Sequence, residues 1–251
     1  MSASRLPEAE NPFADSHADS RIKDYELQTI AFGTPKPGFK KYVLWYKLGW
    51  LDGTLHLGSS KTPPVYFFQS KISRSLPQLY LRRCVAGEDE KSGPVVNFAR
   101  LPSTSRHMLL GRGTYSKEAD DAGQIAWEEL TRDKNMLHRS DYHFSTSVGD
   151  TSALGNAKTP FRWRKNMERL LSTVYDCVNE KTGDVVARLF SGGAFDMKKG
   201  GEFDVAEGLS RDLEEYLIMS SIAIWASEAL NYGSLLSGFS SSSKEDRDKQ
   251  D

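Results

Sequence analysis

The stretch Tyr216–Leu230, YLIMSSIAIWASEAL, is an almost unbroken apolar run near the end of an otherwise polar chain. Leu, Ile, Met and Ala dominate it and neither Gly nor Pro interrupts it, which is the composition of a helix. At 1.5 Å per residue it spans ~22 Å, short of the roughly 20 apolar residues that a bilayer core requires. Glu228 and the serines inside the run argue further against a membrane span, because a mid-bilayer carboxylate costs several kcal/mol. A helix apolar on every face has to be enclosed by protein instead. Its ends are readable. Ser210 suits an N-cap, Asp212, Glu214 and Glu215 put negative charge in the first turn, and Asn231 and Gly233 mark a left-handed stop. The predicted helix therefore covers about 211–231.

Strands are what remains to enclose it. Short β-like segments alternate with turn residues along the chain. They are Leu55–Leu57, Val65–Gln69, Gln78–Val85, Val95–Leu101, His107–Leu110, Gln124–Leu130 and Tyr142–Val148. In Phe161–Lys165 the aromatics Phe161 and Trp163 point one way, and Arg162 and Arg164 the other. Val174–Val178 and Val185–Phe190 form the clearest hairpin, with Gly183 free to take positive φ in the turn between them. Glu202–Ala206 leads into the helix, and the aromatic-rich Tyr42–Trp50 reads as an opening strand rather than a membrane anchor. Many short strands and one all-round apolar helix predict a mainly β fold: a closed antiparallel barrel with the helix through its middle.

The chain has 251 residues, with 33 Lys and Arg against 34 Asp and Glu. A balance so close to neutral lacks the basic excess of a nucleic-acid binder. Cys84 and Cys177 imply neither a disulfide framework nor a zinc site, and no cofactor motif is present. Residues 1–24 and 237–251 read as disordered tails around a barrel domain at 25–236, being too polar to offset the entropy of ordering. The N-terminal stretch has no apolar core resembling a secretory signal, so the expected location is cytoplasmic, with peripheral membrane contact. Within that tail Asn11, Pro12 and Phe13 form the tripeptide that EH-type modules recognise.

From Ile125-Ala126-Trp127, through Phe161-Arg162-Trp163 and Gly183–Arg188 (GDVVAR), to Phe203-Asp204-Val205 before the terminal helix, the order and spacing resemble one family. It is the tubby-like barrel superfamily, with the phospholipid scramblases and the LURP-one-related proteins, and the similarity is greatest to an uncharacterised fungal branch. The resemblance covers about residues 124–232. It implies twelve strands around a central helix, and it transfers no binding residues: neither the tubby phosphoinositide motif nor a scramblase calcium segment can be recognised here.

Catalytic patterns are missing from the sequence. There is no Gly-x-Ser-x-Gly elbow, no P-loop ending and no EF-hand loop, and Gly111-x-Gly113 reads as a turn. His138, Asp141 and His143 are the one local group of possible metal ligands, and their spacing fits no metal motif. The richest feature is basic. Lys158, Arg162, Arg164, Lys165 and Arg169 lie within twelve residues, opposed only by Glu168. A local basic patch attracts anions even on a neutral protein. The expectation is a non-enzymatic binding module that meets anionic phospholipid or phosphoinositide through this face. The alternative is a protein–protein adaptor using the barrel surface or the N-terminal tail.

Overall fold

The structure is a computed structural model, and it describes residues 38–46, 52–71, 77–101, 107–133, 141–147, 158–166, 173–191 and 199–245. Twelve strands run in chain order: β1 (Phe39–Tyr46), β2 (Asp52–Leu57), β3 (Pro64–Ser70), β4 (Leu79–Arg83), β5 (Val95–Arg100) and β6 (His107–Arg112), then β7 (Glu128–Arg132), β8 (Tyr142–Thr146), β9 (Thr159–Asn166), β10 (Thr173–Asn179), β11 (Val185–Ser191) and β12 (Lys199–Ala206). Each pairs antiparallel with its sequence neighbours, and β1 closes the barrel against β12 with Tyr42 opposite Phe203. A five-residue helix, α1 (Lys117–Asp121), interrupts the meander between β6 and β7, and α2 (Arg211–Glu245) follows β12.

Period-two alternation sends one side chain of each strand pair inward. Phe161 and Trp163 of β9, Tyr175 and Cys177 of β10, and Phe203 and Val205 of β12 all join a single interior cluster. The α2 residues Leu213–Ile224 are buried at every position, so this part of the helix has no solvent face. The helix is held inside the barrel by packing and by a few polar contacts. Tyr216 packs on Phe144, with ring centroids 5.7 Å apart, and Trp163 donates its indole N–H to Ser220 Oγ at 3.1 Å. Ser210 caps the first turn, accepting from the Leu213 amide at 3.3 Å.

Carboxylates anchor both ends of the enclosed segment. Near its start, Glu214 accepts from the Tyr42 hydroxyl and from Lys40 Nζ at 2.6 Å. Arg83 grips Glu215 through Nε and Nη2 at 2.7 and 2.8 Å, and the Tyr66 hydroxyl joins at 3.3 Å. Near its far end, Glu228 accepts from the Tyr175 and Tyr142 hydroxyls at 3.0 and 3.3 Å, with Arg132 Nη2 and Lys165 Nζ at 3.6 and 3.8 Å. The one charged residue in the apolar run is therefore satisfied by two phenols and two cations at the barrel mouth.

Two expectations change. Ile125-Ala126-Trp127 precede the strand expected to contain them, since β7 begins at Glu128. This stretch is drawn onto the outside of the wall, where the Trp127 indole donates to Asp120 Oδ1 at 2.8 Å and packs edge-on against Phe98. The helix also runs past Asn231 and Gly233 to Glu245, into residues expected to be tail. One helical glycine costs about 1 kcal/mol, which is too little to force a stop by itself. The Gly183 turn holds, with φ at +77° between β10 and β11. Asn11, Pro12 and Phe13 lie outside the described residues.

Candidate functional site: paired cations and an outer groove

The predicted basic face divides when its residues are placed. Arg162 projects outward from β9, but Nε and Nη2 both reach Asp141 Oδ2, at 3.1 and 2.9 Å. Asp133 stands 4.0 Å from the same guanidinium. Lys158 lies 3.8 Å from Glu128. Lys165 has the inward parity of Phe161 and Trp163, opposite the outward direction of Arg162 and Arg164, and serves Glu228 at the barrel mouth. Arg164 alone keeps an outward guanidinium with no carboxylate partner among the described residues, although it sits opposite Asp176 across the ladder. Asp176 is taken by Arg188. Arg169 and His138 lie outside the described residues. The cluster evident in the sequence is thus mostly a set of ion pairs whose acidic halves come from β7, the β7–β8 connection and α2.

Asp141 and His143 are also separated in role. Asp141 binds Arg162 and accepts from the Lys165 amide at 3.2 Å, while His143 faces Asp133 at 3.7 Å and Glu180 at 4.0 Å. No group of three His, Cys, Asp or Glu residues fit to hold a metal occurs among the described residues.

A different set of cations converges elsewhere. On β4, Leu79 and Leu81 face the lumen, so Tyr80 and Arg82 face outward. Lys71, just beyond β3, sets its ammonium over the Tyr80 ring, 4.8 Å from the centroid. These three residues, the turn residues Ser92–Pro94 with Val95 at the start of β5, and Thr114 and Tyr115 line an open groove of about 420 Å³. Arg82 donates through Nη1 to the Gly93 carbonyl at 3.0 Å, while its buried Nε has no acceptor. Neither Lys71 nor Arg82 has a carboxylate at ion-pair distance among the described residues, and no carboxylate lines the groove. Gly93 is required there: a Cβ would stand 1.8 Å from the Arg83 carbonyl oxygen.

The far wall of the groove is built by the excursion between β6 and β7. Phe98 lies on the outer face of β5 over Gly111, where an added Cβ would come within 2.2 Å of its ring. Tyr115 and Trp127 meet Phe98 edge-on at 5.4 and 5.2 Å. Asp120 ties these parts together. It accepts from Trp127 Nε1, from Arg100 Nη2 at 2.6 Å and from the Tyr115 hydroxyl at 3.0 Å. Burial alone would raise the Asp120 carboxyl, but hydrogen bonds from Trp127, Arg100 and Tyr115 outweigh it and hold the group below its ordinary range.

Sequence reasoning found neither Lys71 and Arg82 as a pair nor Asp120 as a hub. Alternation in QLYLRR does place Tyr80 and Arg82 on one face, but Lys71 and Tyr115 arrive from segments distant in the chain. Among the described residues, no helix is long and apolar enough to cross a membrane. Comparison with protein-family models, curated proteins and solved structures finds no match, so the site is read from its own geometry.

Proposed function

We propose that this protein is a non-enzymatic binding module for anionic headgroups at a phospholipid surface, with Lys71 and Arg82 as the recognising cations. The observation that carries the reading is that these two cations converge on one groove without a carboxylate partner, whereas three of the four described cations of the 158–169 face are paired. With no carboxylate of its own, the Arg82 guanidinium keeps terminal N–H donors for a phosphate or carboxylate oxygen in the groove. The volume of the groove is in the range of small-ligand sites. Its titratable lining is cationic and phenolic, and no acid–base pair faces it, which favours binding over catalysis. The closed twelve-strand barrel with its enclosed helix is also the architecture that the tubby-like resemblance implies, and we place the chain in that superfamily as part of this proposal. Arg164, outward on β9, stands five strands away from β4 round the closed barrel and so faces away from the groove.

The test is cosedimentation with phosphatidylcholine vesicles, alone and doped with phosphatidylserine or phosphoinositide. Binding is expected on the doped vesicles only, and it should weaken as salt screens the surface potential, each near-surface cation contributing up to ~1 kcal/mol. Lys71→Glu with Arg82→Glu should abolish it, and Arg162→Glu with Arg164→Glu, on the far side of the barrel, should leave it largely intact. Absence of wild-type binding at low ionic strength would overturn the lipid reading.

A further inference from the structure

We infer that Asp120 is a positioning residue for the groove, holding the β6–β7 excursion against the barrel so that Tyr115 forms the wall opposite Lys71 and Arg82. The inference rests on the reading of the groove as an anion site and extends it to how the site is kept assembled. Residues 113–127 leave the meander and return to it, and past the Gly113 amide, which donates to the Val96 carbonyl at 2.8 Å, they lie outside the barrel strands, because β6 ends at Arg112 and β7 starts at Glu128. Their one helix, α1, has five residues, far below the length at which a helix is stable alone in water. Ser116 caps it, accepting from the Ala119 amide at 3.3 Å.

What fastens the excursion is a small second core on the outside of the wall. Phe98 fills the space above Gly111, Tyr115 and Trp127 pack on its edges, and the Arg100 guanidinium lies 4.8 Å from the centre of the Trp127 indole. The Asp120 carboxylate joins all three polar ends at once: Tyr115 before α1, Trp127 after it and Arg100 on β5. Two of these partners belong to the excursion and the third to the barrel, so the carboxylate is a side-chain tie between them, beyond the Gly113 amide at the excursion's root. Tyr115 also lines the groove. The excursion and the ligand therefore share a residue. A ligand seated against Tyr115 favours the docked excursion, and a docked excursion presents Tyr115 to the ligand, as reciprocal linkage requires.

Asp120→Asn tests this, since an amide retains one acceptor oxygen but cannot serve both Arg100 and Tyr115 together with Trp127. The probe is a soluble inositol trisphosphate, measured by calorimetry, with amide hydrogen exchange followed over residues 113–127. In the wild-type protein the probe should bind and slow exchange in this segment. In Asp120→Asn affinity should fall about tenfold and the ligand-dependent protection should vanish, with the barrel strands protected as before. Tyr115→Phe keeps the ring and loses only the hydroxyl, so it should show a smaller loss of the same kind, and it decides the matter if Asp120→Asn folds poorly. Wild-type failure to bind overturns the groove reading. Wild-type binding with unchanged affinity in either variant that folds, or with no protection of residues 113–127, overturns the role of Asp120 and leaves the groove reading standing.

Discussion

Raising the pH above 10 should unfold this barrel abruptly, and the reason lies in five tyrosines. Tyr42, Tyr66, Tyr142, Tyr175 and Tyr216 are buried with their hydroxyls among carboxylates. Burial is the first cause that raises each phenol, and a neighbouring carboxylate adds to it: Glu214 for Tyr42, Glu215 for Tyr66, Glu228 for Tyr142 and Tyr175, and Glu128 for Tyr216. All five are pushed well above the ordinary tyrosine value. A phenol whose folded value is raised leaves stability intact below its unfolded value near 10 and removes it as the pH climbs toward the folded one. Each such group lowers stability by ~1.4 kcal/mol per pH unit above 10, so five acting together remove ~7 kcal/mol per unit. Against a typical total of ~5–15 kcal/mol, unfolding follows within about two units. The assay is ultraviolet phenolate absorbance recorded beside circular dichroism. Of the ten tyrosines in the chain, the five enclosed by the barrel should ionise together in one steep step that coincides with loss of structure. Smooth ionisation of all ten near 10, with the dichroism unchanged, would refute the enclosed-phenol arrangement.

Ile222→Asp and Ile224→Asp should each destabilise by several kcal/mol in urea melts, because both side chains are wholly buried although they lie on different faces of α2. A near-wild-type midpoint for either would mean that one helix face is open. Glu228→Ala should cost ~2–5 kcal/mol by leaving two phenols and two cations without their acceptor, with Glu228→Gln costing less. Equal midpoints for Glu228→Ala and wild type would show that the barrel mouth does not depend on that carboxylate.

The barrel was legible because closure leaves few alternatives. An apolar run too short for a bilayer and apolar on all faces demands a surrounding wall, and alternating segments such as Phe161–Lys165 supply one. The pairing of the basic face was not legible. Nothing local to Arg162 announces Asp141, which comes from another segment, or tells Lys165 that it will turn inward to Glu228. The Ile125–Trp127 stretch has strand-like residues, yet Asp120 and Phe98 capture Trp127 on the outer wall first. The β4 alternation shows that Tyr80 and Arg82 share a face, but a groove needs Lys71, the Gly93 turn and Tyr115 as well, and their convergence is a property of the register.

In the proposed function, ion pairing moves the anion site away from the most basic stretch of sequence to the outer groove on β4. Backbone amide shifts recorded during titration with a soluble inositol trisphosphate test it most directly. Saturable changes are expected at Lys71, Tyr80–Arg82, Ser92–Val95 and Thr114–Tyr115, with little change at Arg162 and Arg164. Changes centred on Arg162 and Arg164, with the groove residues silent, would contradict it.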